Sequence, residues 1–407
     1  MKFIHAADIH LDSPLRGLSR YEGAPVELMQ TATRRAFINL IDLACQEAVD
    51  FILLAGDLYD GDWKDYNTGL FFNQQMSRLR EANIKVFMVL GNHDASNAIT
   101  RQLRLPDNVI EFSDQEAETK YLEDLGVAIH GQSFANKVIT DDLSANYPDA
   151  ISDYFNIGVL HTALNGRNGH DHYAPCTIPG LLSHGYDYWA LGHVHQREII
   201  HEKPWIVFSG NLQGRHVRET GAKGCSLVTV EDGETKVNHI SVDVLRWQAC
   251  RLDVSEITVA EDLLDKAHSA VTKALEDAED RPLALRFVIT GTSPINNELH
   301  SNSERWLNEI RAVATDAGLG KVWVEKINLQ LSKRSETALG EIGKFLKNIP
   351  KENEILEALT TEFKSLKNAI PIEARTKHTE TLDPDTICRL LENGVEELLM
   401  ARLLAHG

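Results

Sequence analysis

Between Val86 and Asp94 the chain reads VFMVLGNHD. An apolar, β-branched run stops at Gly91 and hands over without a linker to Asn92, His93 and Asp94. The residues therefore predict a buried strand whose end carries metal-binding and proton-transferring side chains. Such strand ends are where an α/β protein places its chemistry. The same transition recurs at four other places in the first half of the chain: Lys2–Ala7 leads to Asp8-Ile9-His10, Asp50–Ala55 to Gly56-Asp57, Asn156–Leu160 to His161, and Tyr188–Leu191 to Gly192-His193-Val194-His195. One histidine after a strand says little. Five strand ends carrying Asp, Asn and His point to one shared site.

Helical spacing over Val26–Ala48 and Thr68–Ala82 separates the early strands, which predicts a βαβ opening with a buried parallel sheet. Val138–Phe155 reads as helical, and Asn165–Pro179, with His170 and His172, as a surface loop. After His195 the pattern alternates as strands over Ile199–His201, Trp205–Ser209, Ser226–Val230 and Lys236–Val244. The intervening Gly210–Gly224 loop holds Arg215, His216, Arg218 and Lys223, the most basic local stretch of this half. Near Arg246 the character changes to a small α/β unit: strands at Trp247–Val254, Leu283–Thr290 and Lys321–Ile327, helices at Ala260–Glu279 and Ser303–Ala317. From Ser332 the pattern is helical, broken at Pro350 and Pro371, and a last helix over Asp385–Ala405 carries an apolar stripe. The expected domains are 1–245, 246–330 and 331–407.

Composition narrows the function classes. Sixty acidic against 41 basic side chains give a net charge of −19, so a polyanionic substrate would need local basic patches, bound cations or a basic partner. Five cysteines lie far apart without CxxC pairing, which suggests neither a disulfide framework nor a thiolate zinc site. No stretch of eighteen apolar residues and no basic-then-apolar leader occurs, so a cytoplasmic protein without a membrane span is expected. Asp, Asn and His without Cys form a borderline-hard ligand set, suited to Mn²⁺, Fe²⁺ or Zn²⁺. A carboxylate such as Asp57 can bridge two ions roughly 3.5–4 Å apart, holding a bridging hydroxide for in-line attack on phosphorus.

DIH, GDLYD, GNHD, the lone His161 and GHVH, in this order and all after strands, resemble the motifs of the calcineurin-like metallophosphoesterases. Within that superfamily, the LLAGDLYD wording, the small α/β domain and the helical tail are most similar to bacterial Mre11/SbcD-type DNA repair exonucleases. The resemblance implies an α/β fold, a two-sheet sandwich flanked by helices, followed by a small α/β capping domain and a helical C-terminal tail. It implies two divalent metal ions, Mn²⁺ first and Fe²⁺ or Zn²⁺ as alternatives. Asp8, His10 and His195 would hold one ion, Asn92, His161 and His193 the other, and Asp57 would bridge them. His93 would contact the scissile phosphate and serve the leaving oxygen, with Asp94 orienting it. Arg215, His216 and Arg218 are candidate phosphate contacts.

The implied activity is metal-dependent DNA endo/exonuclease cleavage in DNA repair. The implied partners are DNA and a Rad50/SbcC-like coiled-coil ATPase docked on the C-terminal helices, with a homodimer as a further assembly. One departure stands out: these nucleases often carry His shortly after the bridging Asp, where this chain has Asp60, an anion that would repel a phosphate oxygen. His170 and His172 are candidate substitutes. The competing expectations are a phosphodiesterase or phosphatase acting on nucleotides or other small phosphoesters, and a non-catalytic scaffold.

Overall fold

The computed structural model describes residues 1–13, 26–60, 66–95, 104–164, 173–331 and 357–362. The chain divides into two units, 1–249 with 275–285, and 250–274 with 286–407. In the first unit, β1 (Lys2–Ala6), β2 (Phe51–Ala55) and β3 (Lys85–Val89) are short apolar runs, buried on both faces apart from the first residues of β1 and β3. Continuous apolar runs of this kind suit central parallel strands. The amphipathic helices α1 (Val26–Gln46) and α2 (Asn67–Glu81) return the chain between them. The one-turn helix α3 (Asn92–Ala95) and β4 (Val109–Glu111) follow. Then come β5 (Glu118–Leu122), β6 (Val127–Gly131), β7 (Phe155–His161), the short helix α4 (Ile178–Ser183), β8 (Tyr188–Gly192), β9 (Glu198–Glu202), β10 (Trp205–Phe208), β11 (Gly224–Glu231) and β12 (Glu234–Ser241).

These strands form two six-stranded mixed sheets, ordered β12-β11-β1-β2-β3-β4 and β5-β6-β7-β8-β10-β9. The strand period of two assigns each residue to a layer. Phe3, Phe51, Leu53 and Phe87 point between the sheets, where they meet Ile129, Ile157, Val159 and Val207. Their neighbours Ile4, Ile52, Leu54 and Met88 pack with Phe37, Leu40, Phe72 and Met76 of α1 and α2. On the far side of the second sheet, Leu160, Trp189, Leu191 and Phe208 pack with Leu143, Tyr147 and Leu181. The result is the expected α/β sandwich with helices outside.

Within the sandwich lies a titratable group that opposes acid. His5 Nε2 is 3.2 Å from the Leu191 carbonyl, which only accepts, so this nitrogen donates and Nδ1 accepts from the Tyr188 hydroxyl at 3.0 Å. Burial lowers the His5 pKa from 6.5 to about 3. Between these values the unfolded chain binds a proton that the folded one refuses, so the stabilisation is complete above pH 6.5 and is lost as pH falls toward 3. The expected loss is about 3 kcal/mol by pH 4. Urea unfolding from pH 7 to 4 checks it: His5→Gln should flatten the pH dependence, and an unchanged slope would assign it to other groups.

The segment expected to be helical over Val138–Phe155 holds a 3-10 turn only at Leu143–Asn146. Asp142 caps that turn by accepting from the Ser144 N–H, and Tyr147 leaves it extended, its hydroxyl donating to the Val159 carbonyl. The apolar spacing that imitated a helix belongs to side chains reaching for the outer face of the second sheet.

Beyond the sandwich, β13 (Arg246–Asp253), β14 (Leu283–Gly291) and β15 (Val322–Leu331) form a three-stranded sheet in that order. It is accompanied by α5 (Asp262–Asp277), α6 (Asn296–Ser301) and α7 (Ser303–Ala317). Helical periodicity buries Leu263, Ala267, Val271 and Ala274 on α5 and Trp306, Ile310 and Ala314 on α7. The expected last helix over 385–405 lies outside the described residues, as do His170 and His172. Among the described residues no helix is long and apolar enough to cross a membrane.

Candidate metal centre

β1, β2 and β3 are parallel neighbours in one sheet, and β7 and β8 in the other, so their carboxyl ends open on one side of each sheet. Asp8 and His10 follow β1, Asp57 follows β2, Asn92 and His93 open the turn after β3, His161 ends β7, and His193 and His195 follow β8. The two sheets converge there, since His161 Nδ1 donates across to the Ala55 carbonyl at 3.0 Å. Asp8, His10, Asp57 and His193 all have left-handed backbones, at φ of 51°, 47°, 52° and 100°. Such a conformation costs a non-glycine residue of order 1 kcal/mol. The chain accepts it at the points where side chains must turn inward.

The glycines of the motifs make room for these side chains. A Cβ on Gly91 would lie 2.3 Å from Asp57 Oδ1, and one on Gly56 would lie 2.5 Å from His161 Nδ1. Gly91→Ala is therefore expected to displace the Asp57 carboxylate, lowering metal binding and turnover together while leaving the circular dichroism of the sandwich intact. Metal content and activity of the purified variant test this, and full retention of both would contradict it.

The donor chemistry fits divalent cations. His195 Nδ1 is 2.7 Å from Glu219 Oε1, and a carboxylate only accepts, so the lone pair of His195 sits on Nε2. That atom faces His10 Nε2 at 3.2 Å and Asp8 Oδ1 at 4.0 Å. His161 likewise carries its proton on Nδ1, and its Nε2 lone pair faces Asn92 Oδ1 at 3.0 Å and Asp57 Oδ2 at 3.5 Å. Lone pairs thus converge on shared space. Asp8 and Asp57 are 1% and 2% exposed, and among the described residues neither has a Lys or Arg within ion-pair range. Two buried carboxylates without a fixed cation are costly, and bound metal ions would remove that cost. Burial also drives the Asp8 pKa up and the His10 pKa well down. Three overlapping groups, Asp8–His10–His195, Asp8–Asp57–His161 and His10–Asp60–His93, each bring their ligand atoms within 4.8 Å of one another. His193 lies against this set, its ring 5.2 Å from that of His161 and its backbone N–H donating to both Asp8 oxygens.

His93 has a different surrounding. Its Nδ1 is 3.2 Å from Asp60 Oδ1. Asp60 also accepts from Ser13 Oγ at 2.7 Å and lies 3.5 Å from the Arg215 guanidinium. The bond from His93 outweighs burial and, with Ser13 and Arg215, holds the Asp60 carboxyl well below the usual range. Reciprocally, the bond to Asp60 raises the His93 pKa. The expectation that Asp94 orients His93 is corrected here: the Asp94 carboxylate accepts from the backbone N–H groups of Gly91, Leu58 and Tyr59, tying the loop after β2 to the turn after β3. Burial and the adjacent Asp57 charge push Asp94 up to about 7. The carboxylate beside His93 Nδ1 is that of Asp60, the residue that read as a departure.

Of the basic loop, Arg215 reaches the centre, with Nη1 3.1 Å from Ser13 Oγ. His216 Nε2 lies 3.5 Å from Glu219, whereas Arg218 is exposed. Sequence reasoning passed over Glu219. Its signal was its isolation, as the sole acidic residue between Gly210 and Gly224.

Two family models and a relative match the chain. The family model of the calcineurin-like phosphoesterases matches residues 1–197, and that of the middle domain of the metallophosphoesterase YhaO matches residues 247–332. A relative from Bacillus subtilis (strain 168), the uncharacterized metallophosphoesterase YhaO, is 36% identical over 298 residues, or 72% of each chain. The crystal structure of a dimetal phosphatase from Danio rerio matches at 12% identity with a TM-score of 0.37, covering 60% of this chain and 96% of that one. The relative bears the YhaO name and not that of an Mre11/SbcD-type nuclease. By its motifs, its sandwich and its relative, the chain belongs to the calcineurin-like metallophosphoesterases, metal-dependent hydrolases of phosphoesters.

Proposed function

We propose that the chain hydrolyses phosphodiester bonds of DNA at a centre of two divalent ions, Mn²⁺ before Fe²⁺ or Zn²⁺. Asp8, His10 and His195 would hold one ion, Asn92, His161 and His193 the other, with Asp57 between them. The observation that carries this reading is the pair of buried carboxylates ringed by imidazole lone pairs at the converging strand ends. Bound there, the ions supply Lewis acidity and neutralise charge on the phosphoryl group. The protein's own part is to hold and move a proton. Asp60 fixes Nδ1 of His93 and favours the protonated ring, which leaves Nε2–H as the donor to the departing oxygen. Arg215 compensates the Asp60 charge, so this anion need not repel a phosphate oxygen. Arg215, His216 and Arg218 are the phosphate contacts of this reading.

The nuclease assignment rests on the LLAGDLYD wording, the small α/β domain and the helical tail, on which an ATPase partner in the cytoplasm would dock. The net charge of −19 favours a second reading, in which the same centre acts on nucleotides or other small phosphoesters. Mn²⁺-dependent cleavage of single- and double-stranded DNA, measured beside a small chromogenic phosphodiester and with Asp57→Ala as control, separates them. Cleavage of DNA that the control lacks supports the nuclease reading. Turnover of the small ester alone supports the second.

A further inference from the structure

Glu219 lies on the loop between β10 and β11 and is 6% exposed. Its Oε2 accepts from the Arg215 backbone N–H at 2.7 Å and from Asn211 Nδ2 at 3.0 Å, so the carboxylate is anchored independently of the metal ligands. Its Oε1 then meets His195 Nδ1 at 2.7 Å, with the Arg215 guanidinium 3.6 Å away on the same oxygen. Arg215 Nη2, which can only donate, also lies 3.4 Å from Nδ1, but the anchored carboxylate at 2.7 Å is the closer partner and sets the tautomer and ring orientation of His195, placing the lone pair on the atom 3.2 Å from His10 Nε2. His161 receives the same instruction from a neutral backbone group, the Ala55 carbonyl. His195 receives it from a side chain, and an anionic acceptor also increases the basicity of the ring.

We infer that Glu219 is a positioning residue of the metal centre: through His195 it makes the Asp8–His10–His195 half able to retain its ion, and it ties that half to the 210–224 loop. This rests on the two-ion reading above. Without the carboxylate, His195 can rotate and exchange tautomers, whereas the ligands around Asn92 and His161 keep their supports. The ion at the Asp8–His10–His195 half should therefore bind about 10–100-fold more weakly in E219A, as losses of such supporting groups do elsewhere. E219Q keeps an acceptor oxygen without the charge and should fall between E219A and the unmodified chain.

The test is titration of the metal-free full-length chain with Mn²⁺, followed by electron paramagnetic resonance. The unmodified chain is expected to bind two ions and give the broad spectrum of an exchange-coupled pair. At the same free Mn²⁺, E219A is expected to bind one ion and give the six-line spectrum of an isolated ion, with the pair signal returning as Mn²⁺ is raised. Binding of two ions by E219A with unchanged affinity would overturn the inference. If circular dichroism shows E219A to be unfolded, E219Q decides: weakened binding of one ion supports the inference, and unchanged binding of both overturns it. Failure of the unmodified chain to bind two ions is a separate result, which removes the two-ion reading and the inference with it.

Discussion

His93→Ala is expected to bind its metal ions as tightly as the unmodified chain and to lose about 10²–10⁴-fold in turnover. The separation follows from geometry. His93 engages Asp60 through Nδ1 and is grouped with His10 and Asp60, outside the two groups that contain the buried Asp8, one of which holds Asp57 and His161. The same pair predicts a pH effect with a definite sign. Asp60 raises the His93 pKa, so the protonated, active form persists further into alkaline pH. Asp60→Asn removes the charge, His93 loses its proton at lower pH, and the alkaline limb of the rate profile should move toward acid. A shift toward alkali, or loss of metal together with activity in His93→Ala, would contradict this role.

Asp57→Ala should produce the larger collapse, removing metal binding and turnover together. Its Oδ2 lies within 4 Å of both His10 Nε2 and His161 Nε2, at 3.9 and 3.5 Å, so it is the carboxylate placed between the two halves. Its Oδ1 also accepts from the His93 backbone N–H at 3.0 Å, so the turn that presents Asn92 and His93 loses its tether as well. Turnover is expected to fall below about a thousandth of the unmodified value, comparable to other losses of an essential electrostatic group. Metal analysis should find the ions lost even at Mn²⁺ concentrations that saturate the unmodified chain. Two retained ions would place the bridge elsewhere.

The contrast between Asp57 and Asp60 shows what the sequence could reveal. Asp57 was legible because an apolar strand, a glycine and a carboxylate are consecutive in the chain, and the parallel strands carry that pattern to a common edge. The pairing of Asp60 with His93 was not legible. It joins residues 33 positions apart, and it makes sense only once Ser13 and Arg215 are seen on the other Asp60 oxygen. The family resemblance made Asp94 the expected partner for His93, yet the tight turn aims Asp94 at backbone N–H groups. Glu219 lies in an irregular loop, where no periodicity links a residue to the histidine it supports. The Val138–Phe155 segment misled for a related reason: Leu143 and Tyr147 are spaced as on a helix, but they answer to a core built by distant strands.

Whether this fold assembles a working centre of two divalent ions is decided by the metal content of the purified chain, set against its hydrolysis of a small chromogenic phosphodiester before and after exhaustive chelation. Two ions per chain are expected after reconstitution with Mn²⁺, with activity abolished by the chelator and restored in step with the ions. Hydrolysis that survives complete removal of metal, or a folded chain that binds none of Mn²⁺, Fe²⁺ and Zn²⁺, would contradict a two-ion centre.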